Sequence, residues 1–145
     1  MHSFKKSLAK GKSGEALLQS LWPELVPTDG RSGDFMLGTD KVEVKSDSYD
    51  MEKTPNFFIE RYSNNTKKSD GSVWQALKHE CMIFVYWYPT NKTAFVFRDI
   101  VQLMNALDAI IADLEPIYIR NPGYYTVGYK VPRELLKDYF EVRQF

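Results

Sequence analysis

The sequence predicts an α/β domain: a mixed β-sheet of about five strands flanked by helices. Three observations carry this. Residues 81–88 (CMIFVYWY) form a continuous apolar run, the pattern of a strand buried on both faces. Residues 41–45 (KVEVK) alternate polar and apolar with period 2, the pattern of a strand with one buried face. Residues 99–113 place Ile100, Leu103, Met104, Leu107, Ile110 and Ile111 at helical spacing.

The elements follow in order. Residues 13–22 read as a helix, with Ser13 as cap, Leu17, Leu18 and Leu21 as an apolar stripe and Pro23 as terminator; Gly11 and Gly14 weaken its first turn. Residues 33–46 read as a β-hairpin and residues 56–62 (NFFIERY) as a third strand. Residues 63–72 (SNNTKKSDGS) have the composition of a polar loop, and a short helix over about 72–80 precedes the apolar run. Thr93–Phe97 pair back on that run, the 99–113 helix follows, Tyr124–Val131 form a late strand, and Pro132 opens a last helix through about Tyr139. At 145 residues the chain suits one domain, 1–145. No internal repeat interrupts it.

Composition excludes several classes. With 43% hydrophobic residues the chain can bury a core, so disorder is not expected. No apolar run approaches the roughly 20 residues of a membrane-spanning helix, and the N-terminal MHSFKKSLAKGKSG has no apolar region of a secretory signal. The single Cys81 excludes a disulfide framework and a Cys-based zinc site. A reducing, intracellular compartment is therefore expected: the cytoplasm, or the host cytoplasm if the source is viral. The 19 basic and 19 acidic residues balance, yet Lys5, Lys6, Lys10 and Lys12 stand in the first 14 residues without an acid, leaving a net of −4 on the remainder. Such an arm suits a polyanion approached from one side, or is simply a solvated terminus.

The hairpin carries the chemistry. A two-residue turn on Gly38-Thr39 pairs Phe35 with Val42 and sets Asp34 opposite Glu43. Like charges facing each other across strands are destabilising unless compensated, and a divalent cation compensates them: Mg²⁺ takes one or two carboxylates with waters and a phosphate. Period 2 places Lys45 on the face of Glu43 while Val42 and Val44 point to the other side. Two acids and an ammonium on one patch suit phosphodiester hydrolysis, the metal activating water and the lysine steadying the developing charge.

The set Asp34…Glu43-Val44-Lys45 resembles the motif of the PD-(D/E)XK nuclease superfamily. The resemblance implies a restriction-endonuclease-like core of helix, three-stranded meander, helix and strand, matched here by residues 13–88. It implies that Asp34 and Glu43 bind Mg²⁺, with Mn²⁺ able to substitute, and that Lys45 assists hydrolysis. Many such enzymes carry another acid on the first helix, a place occupied here by Glu15, and Gly33 stands where a proline often precedes the Asp. The opening Gly11-Lys12-Ser13-Gly14-Glu15 looks like that of small Holliday-junction resolvases and phage-type endonucleases.

Other candidates are weighed from their own residues. Glu60 shares a strand face with Phe58 and Tyr62; it is a further metal or water ligand, or a partner of Arg61 or Lys45. Arg61, Lys67 and Lys68, with Asn64 and Asn65, could hold phosphates or belong to an ordinary mobile loop. Trp74 stacks on a base or, more in keeping with its place, packs its helix onto the sheet. Cys81 reads as core, and His79 has no obvious partner for nucleophilic chemistry. The aromatic segment 120–131 is a substrate loop or an oligomer contact.

The expected function is a Mg²⁺-dependent DNA endonuclease. The alternatives are a junction resolvase on branched DNA, which would be a symmetric homodimer; a nuclease-like fold used only for binding or inhibition; and a protein-interaction domain. DNA, duplex or branched, is the expected partner, with no membrane.

Overall fold

The computed structural model describes residues 4–29 and 34–145, with α1 side chains described from Lys12 onward. It is α/β, with three helices, a six-stranded mixed sheet and a second, four-stranded sheet among these residues. Helix α1 (Phe4–Leu21) begins well before the expected residue 13. Gly14 therefore lies inside the helix, and its lack of a side chain serves packing: a Cβ there would stand 2.0 Å from Ser46 Oγ.

An antiparallel meander follows, β1 (Leu25–Pro27), β2 (Phe35–Leu37) and β3 (Asp40–Ser46). The hairpin turn is as the sequence predicts, with Gly38 at φ +62° and Phe35 paired with Val42. Two expectations are corrected here. The meander's third strand is β1, and residues 56–64 do not belong to this sheet. They form β4 (Asn56–Asn64), which pairs with β5 (Ser69–Asp70) and with β9 (Tyr124–Pro132); β8 (Ile117–Asn121) completes the second sheet in the order β5-β4-β9-β8. Within the segment expected as a loop over 63–72, residues 65–68 are the turn that joins β4 to β5.

Helix α2 (Ser72–Lys78) returns the chain to β6 (Ile83–Tyr88), which lies parallel to β3, with Val42 beside Ile83 and Val44 beside Val85. β7 (Thr93–Phe97) pairs antiparallel with β6. Helix α3 (Ile100–Ile111) is capped by Asp99, whose carboxylate accepts the Gln102 N–H at 3.1 Å. The helix expected after Pro132 is a single 3₁₀ turn, Arg133–Leu136, and the chain ends in β10 (Glu141–Gln144) on the edge of β7. The first sheet runs β1-β2-β3-β6-β7-β10 rather than through about five strands.

The first sheet separates two cores. On one face α1 packs Leu18 and Trp22 on Val42, Val44, Val85 and Trp87, and the buried Trp87 indole donates to Gly14 O at 2.8 Å. On the other, Phe84, Tyr86, Tyr88, Phe95 and Phe97 meet α2, α3 and the second sheet around Phe57, whose ring lies 4.7 Å from that of Tyr86. Each such side chain contributes about 1.5–3 kcal/mol by leaving water. Because Val42 and Val44 commit to the α1 side, Glu43 and Lys45 must project toward α2 and β4.

Candidate active site

β2 begins only at Phe35, so the ladder stops one pair short of the expected Asp34–Glu43 pair. Asp34 nonetheless stays on β3: its N–H donates to Val42 O at 2.9 Å, and its Oδ2 accepts the Val44 N–H at 2.8 Å. The side chain takes the place of a ladder carbonyl, which fixes the acid against the Glu43-Val44-Lys45 stretch. Asp34 and Glu43 then line a cleft of about 270 Å³ with Glu60, Asp70, Gln75 and His79.

Three carboxyl groups feel one another here. Burial, then the charges of Asp34 and Glu15, push Glu43 up to about 8. Burial, then Asp34, push Glu15 up to about 7 against the pull of Lys12. Burial also raises Asp34, opposed by the Val44 N–H and by His79. Gly14 allows the close approach of α1 to β3 that brings Glu15 into this group.

Lys45 donates from Nζ to Glu60 Oε1 at 3.2 Å, so of the two cationic partners expected for Glu60 it is Lys45 and not Arg61 that pairs with it. Gly71 makes room for this wall, since a Cβ there would stand 1.7 Å from Glu60 O. Arg61 pairs instead with Asp70, at 2.8 Å, and its guanidinium lies 4.5 Å from the ring centres of both Tyr62 and Trp74. Lys78 and Arg61 together hold Asp70 below the ordinary carboxylate range.

Trp74 is buried, as its packing role predicts, and Cys81 is core, its thiol raised to about 11 by burial. Lys67 is exposed, while Lys68 Nζ reaches Asn65 Oδ1 at 3.0 Å and lies 4.9 Å from the Tyr62 ring. Lys12 is exposed on α1; the side chains of Lys5, Lys6 and Lys10, and Gly33 entirely, lie outside the described residues. The 120–131 segment is the β8–β9 hairpin, with Tyr118 and Tyr125 exposed.

Sequence reasoning missed Gln75 and His79 as cleft residues. His79 Nδ1 is buried and takes no hydrogen bond in this wall. Their helical spacing, four apart, was the available signal.

The oxygens of Asp34, Glu43, Glu60 and Asp70 would suit a hard divalent cation, and the His79 imidazole stands in the same wall. Among the described residues no three His, Cys, Asp or Glu side chains converge tightly enough to hold an ion as a set. The residues that could hold an ion here are Asp34 and Glu43, with waters completing its shell. No helix among the described residues is long and apolar enough to cross a membrane.

No protein-family model matches the chain, and no curated protein or solved structure matches it.

Proposed function

We propose that the protein is a Mg²⁺-dependent DNA endonuclease of the PD-(D/E)XK type. The observation that carries this reading is the bond from the Val44 N–H to Asp34 Oδ2, because it holds the first acid of the motif against its Glu-x-Lys segment. The order α1, three-stranded meander, α2, β6 supports it, with β4 and β5 inserted between the meander and α2 as part of the second sheet.

In this reading Asp34 and Glu43 would hold the ion, with Glu15 contributing to its outer ligand set. A bound divalent ion supplies Lewis acidity and lowers the pKa of a coordinated water. Lys45, fixed by Glu60, presents an ammonium to the negative charge that develops on the oxygens around phosphorus. Burial and mutual charge raise the Glu15 and Glu43 carboxyls in the metal-free protein, so an ion would have to compete with protons for them.

One observation favours a second reading, the same fold used for binding alone: no three acidic or imidazole groups converge as a ligand set among the described residues. One experiment decides. Supercoiled plasmid, linear duplex, single strand and four-way junction are incubated with Mg²⁺, Mn²⁺ or EDTA. Metal-dependent cutting that is lost in Asp34→Ala supports the hydrolase, and preference for the junction by a dimer supports a resolvase. DNA retained but uncut in every metal refutes the hydrolase.

A further inference from the structure

A second and larger cleft, of about 730 Å³, opens on the other side of the Lys45–Glu60 pair, and both of these residues line it. Glu60 also lines the carboxylate cleft, so the two spaces share this residue in their walls. The floor is the face of the second sheet that carries Phe58, Glu60, Ile119 and Lys130. Phe58 lies flat enough to need Gly128 beneath it, where a Cβ would stand 2.3 Å from the ring. The opposite wall is the segment after β3, with Tyr49, 54% exposed, and Lys53.

The charges are arranged unequally. Asp47 is occupied, accepting the Tyr86 hydroxyl at 2.6 Å and the Tyr49 N–H at 3.0 Å, and Glu60 is neutralised by Lys45. Lys53 and Lys130 form no salt bridge among the described residues, and the nearby Asp50 carboxylate feels the charge of Lys53. The cleft therefore combines two available ammonium groups, an exposed phenol ring and apolar patches, next to the carboxylates. Cations that track a backbone and rings that stack on bases are what an unpaired nucleic-acid strand requires. The volume lies in the range of small-ligand sites, about 300–1,000 Å³, which suits one or two nucleotides and is far too small for a duplex.

We infer that this cleft is a subsite for unpaired nucleotides of a DNA strand, with Lys53 and Lys130 on phosphates and Tyr49 stacked on a base. It rests on the proposed function and deepens it: the preferred substrate has unpaired nucleotides beside the scissile phosphate, as in a branch, flap or single strand.

The test reads binding without cleavage. Fluorescent oligothymidylate and a blunt duplex of equal length are titrated in EDTA at low and at moderate salt, followed by anisotropy. The single strand binds about tenfold or more tightly than the duplex. Lys53→Glu with Lys130→Glu, or Tyr49→Ala, each weakens it about tenfold. The three positions are exposed or line open space, and circular dichroism checks that the variants fold. Equal binding of strand and duplex, or variants that bind like wild type, overturns the inference, as does wild type that binds neither. Because no metal is present, strand binding by a protein that never cuts DNA refutes the hydrolase and supports this subsite. Metal-dependent cutting with unaltered KM in the Lys53 and Lys130 variants does the reverse.

Discussion

Lys45 on β3 and Glu60 on β4 meet at 3.2 Å, and this ion pair joins the first sheet to the second at the border of both clefts. The two side chains are 21% and 27% exposed, so the pair is partly screened and its worth to stability is small, about 0.5–1 kcal/mol. Its consequence is positional, since it aims an ammonium that would otherwise sweep through solvent. Glu60→Gln keeps a hydrogen-bond acceptor and removes the charge. We expect unfolding close to wild type and cleavage about tenfold slower. Lys45→Ala lowers cleavage about a hundredfold or more. The pH profile separates positioning from mere scaffolding: Glu60→Gln alters the profile of kcat while KM for DNA holds. An unchanged rate in both variants refutes the assignment of Lys45.

The raised carboxyl groups make stability depend on pH in a direction opposite to the usual one for acids. Glu15, at about 7, and Glu43, at about 8, hold protons in the folded chain that the unfolded chain releases near 4.5. Between those limits the folded state binds more protons, so stability falls as pH rises. We expect the metal-free protein to lose on the order of 2 kcal/mol between about pH 5.5 and about pH 8.5, after allowance for solvent screening of these half-buried groups. Mg²⁺ bound as proposed would take the ionised form, so its stabilising effect is expected to grow over the same interval. Glu43→Gln raises metal-free stability at about pH 8.5 by about 1 kcal/mol and abolishes the Mg²⁺ response, the usual opposition between a strained site and a stable fold. Thermal unfolding with EDTA or Mg²⁺ at the two pH values reads all three effects. A metal-free Tm that climbs with pH refutes the arrangement.

Local pattern revealed some of this structure and could not reveal the rest. The β2–β3 hairpin is legible because Gly38 supplies the positive φ of its turn and Val42 and Val44 alternate with polar neighbours. The all-apolar run of β6 is legible for the same local reason. β10, with the sequence EVRQ, is exposed along its whole length and carries no alternation; only the free edge of β7 makes it a strand. β4 looks alike whichever sheet it joins, and its choice is settled far away by pairing with β9. Pro132 is compatible with a helix start, but Arg133 donates to the carbonyls of Met51, Thr54 and Asn56, which ties the segment down after one turn. At the candidate site, the face shared by Glu43 and Lys45 was legible from their alternation with the buried Val42 and Val44. The side-chain bond from Asp34 to the Val44 N–H was not, because it arises where the ladder ends. Tyr49, Lys53 and Lys130 left no sequence signal, since the two sheets that bring them together are joined only by tertiary pairing.

The approach of α1 to β3 offers the sharpest test of how the site is assembled. Alanine in place of glycine inside a helix ordinarily gains about 0.5–1 kcal/mol by restricting the unfolded chain. At Gly14 the added Cβ would stand 2.0 Å from Ser46 Oγ and 3.0 Å from Ser46 Cβ, so the helix must move or Ser46 must turn away. Either response strains the buried bond from the Trp87 indole to Gly14 O. We expect Gly14→Ala to destabilise by about 1–3 kcal/mol, the cost of overpacking. Since Glu15 follows directly, a displaced helix also withdraws its carboxylate from Asp34 and Glu43 and weakens the rise in Tm with Mg²⁺. Ser46→Gly removes the obstructing atoms, so the double variant regains most of both losses. Denaturant unfolding of the two single variants and the double closes the cycle. A coupling near zero means that the two positions do not touch, and the route by which α1 delivers Glu15 to the cleft is then wrong.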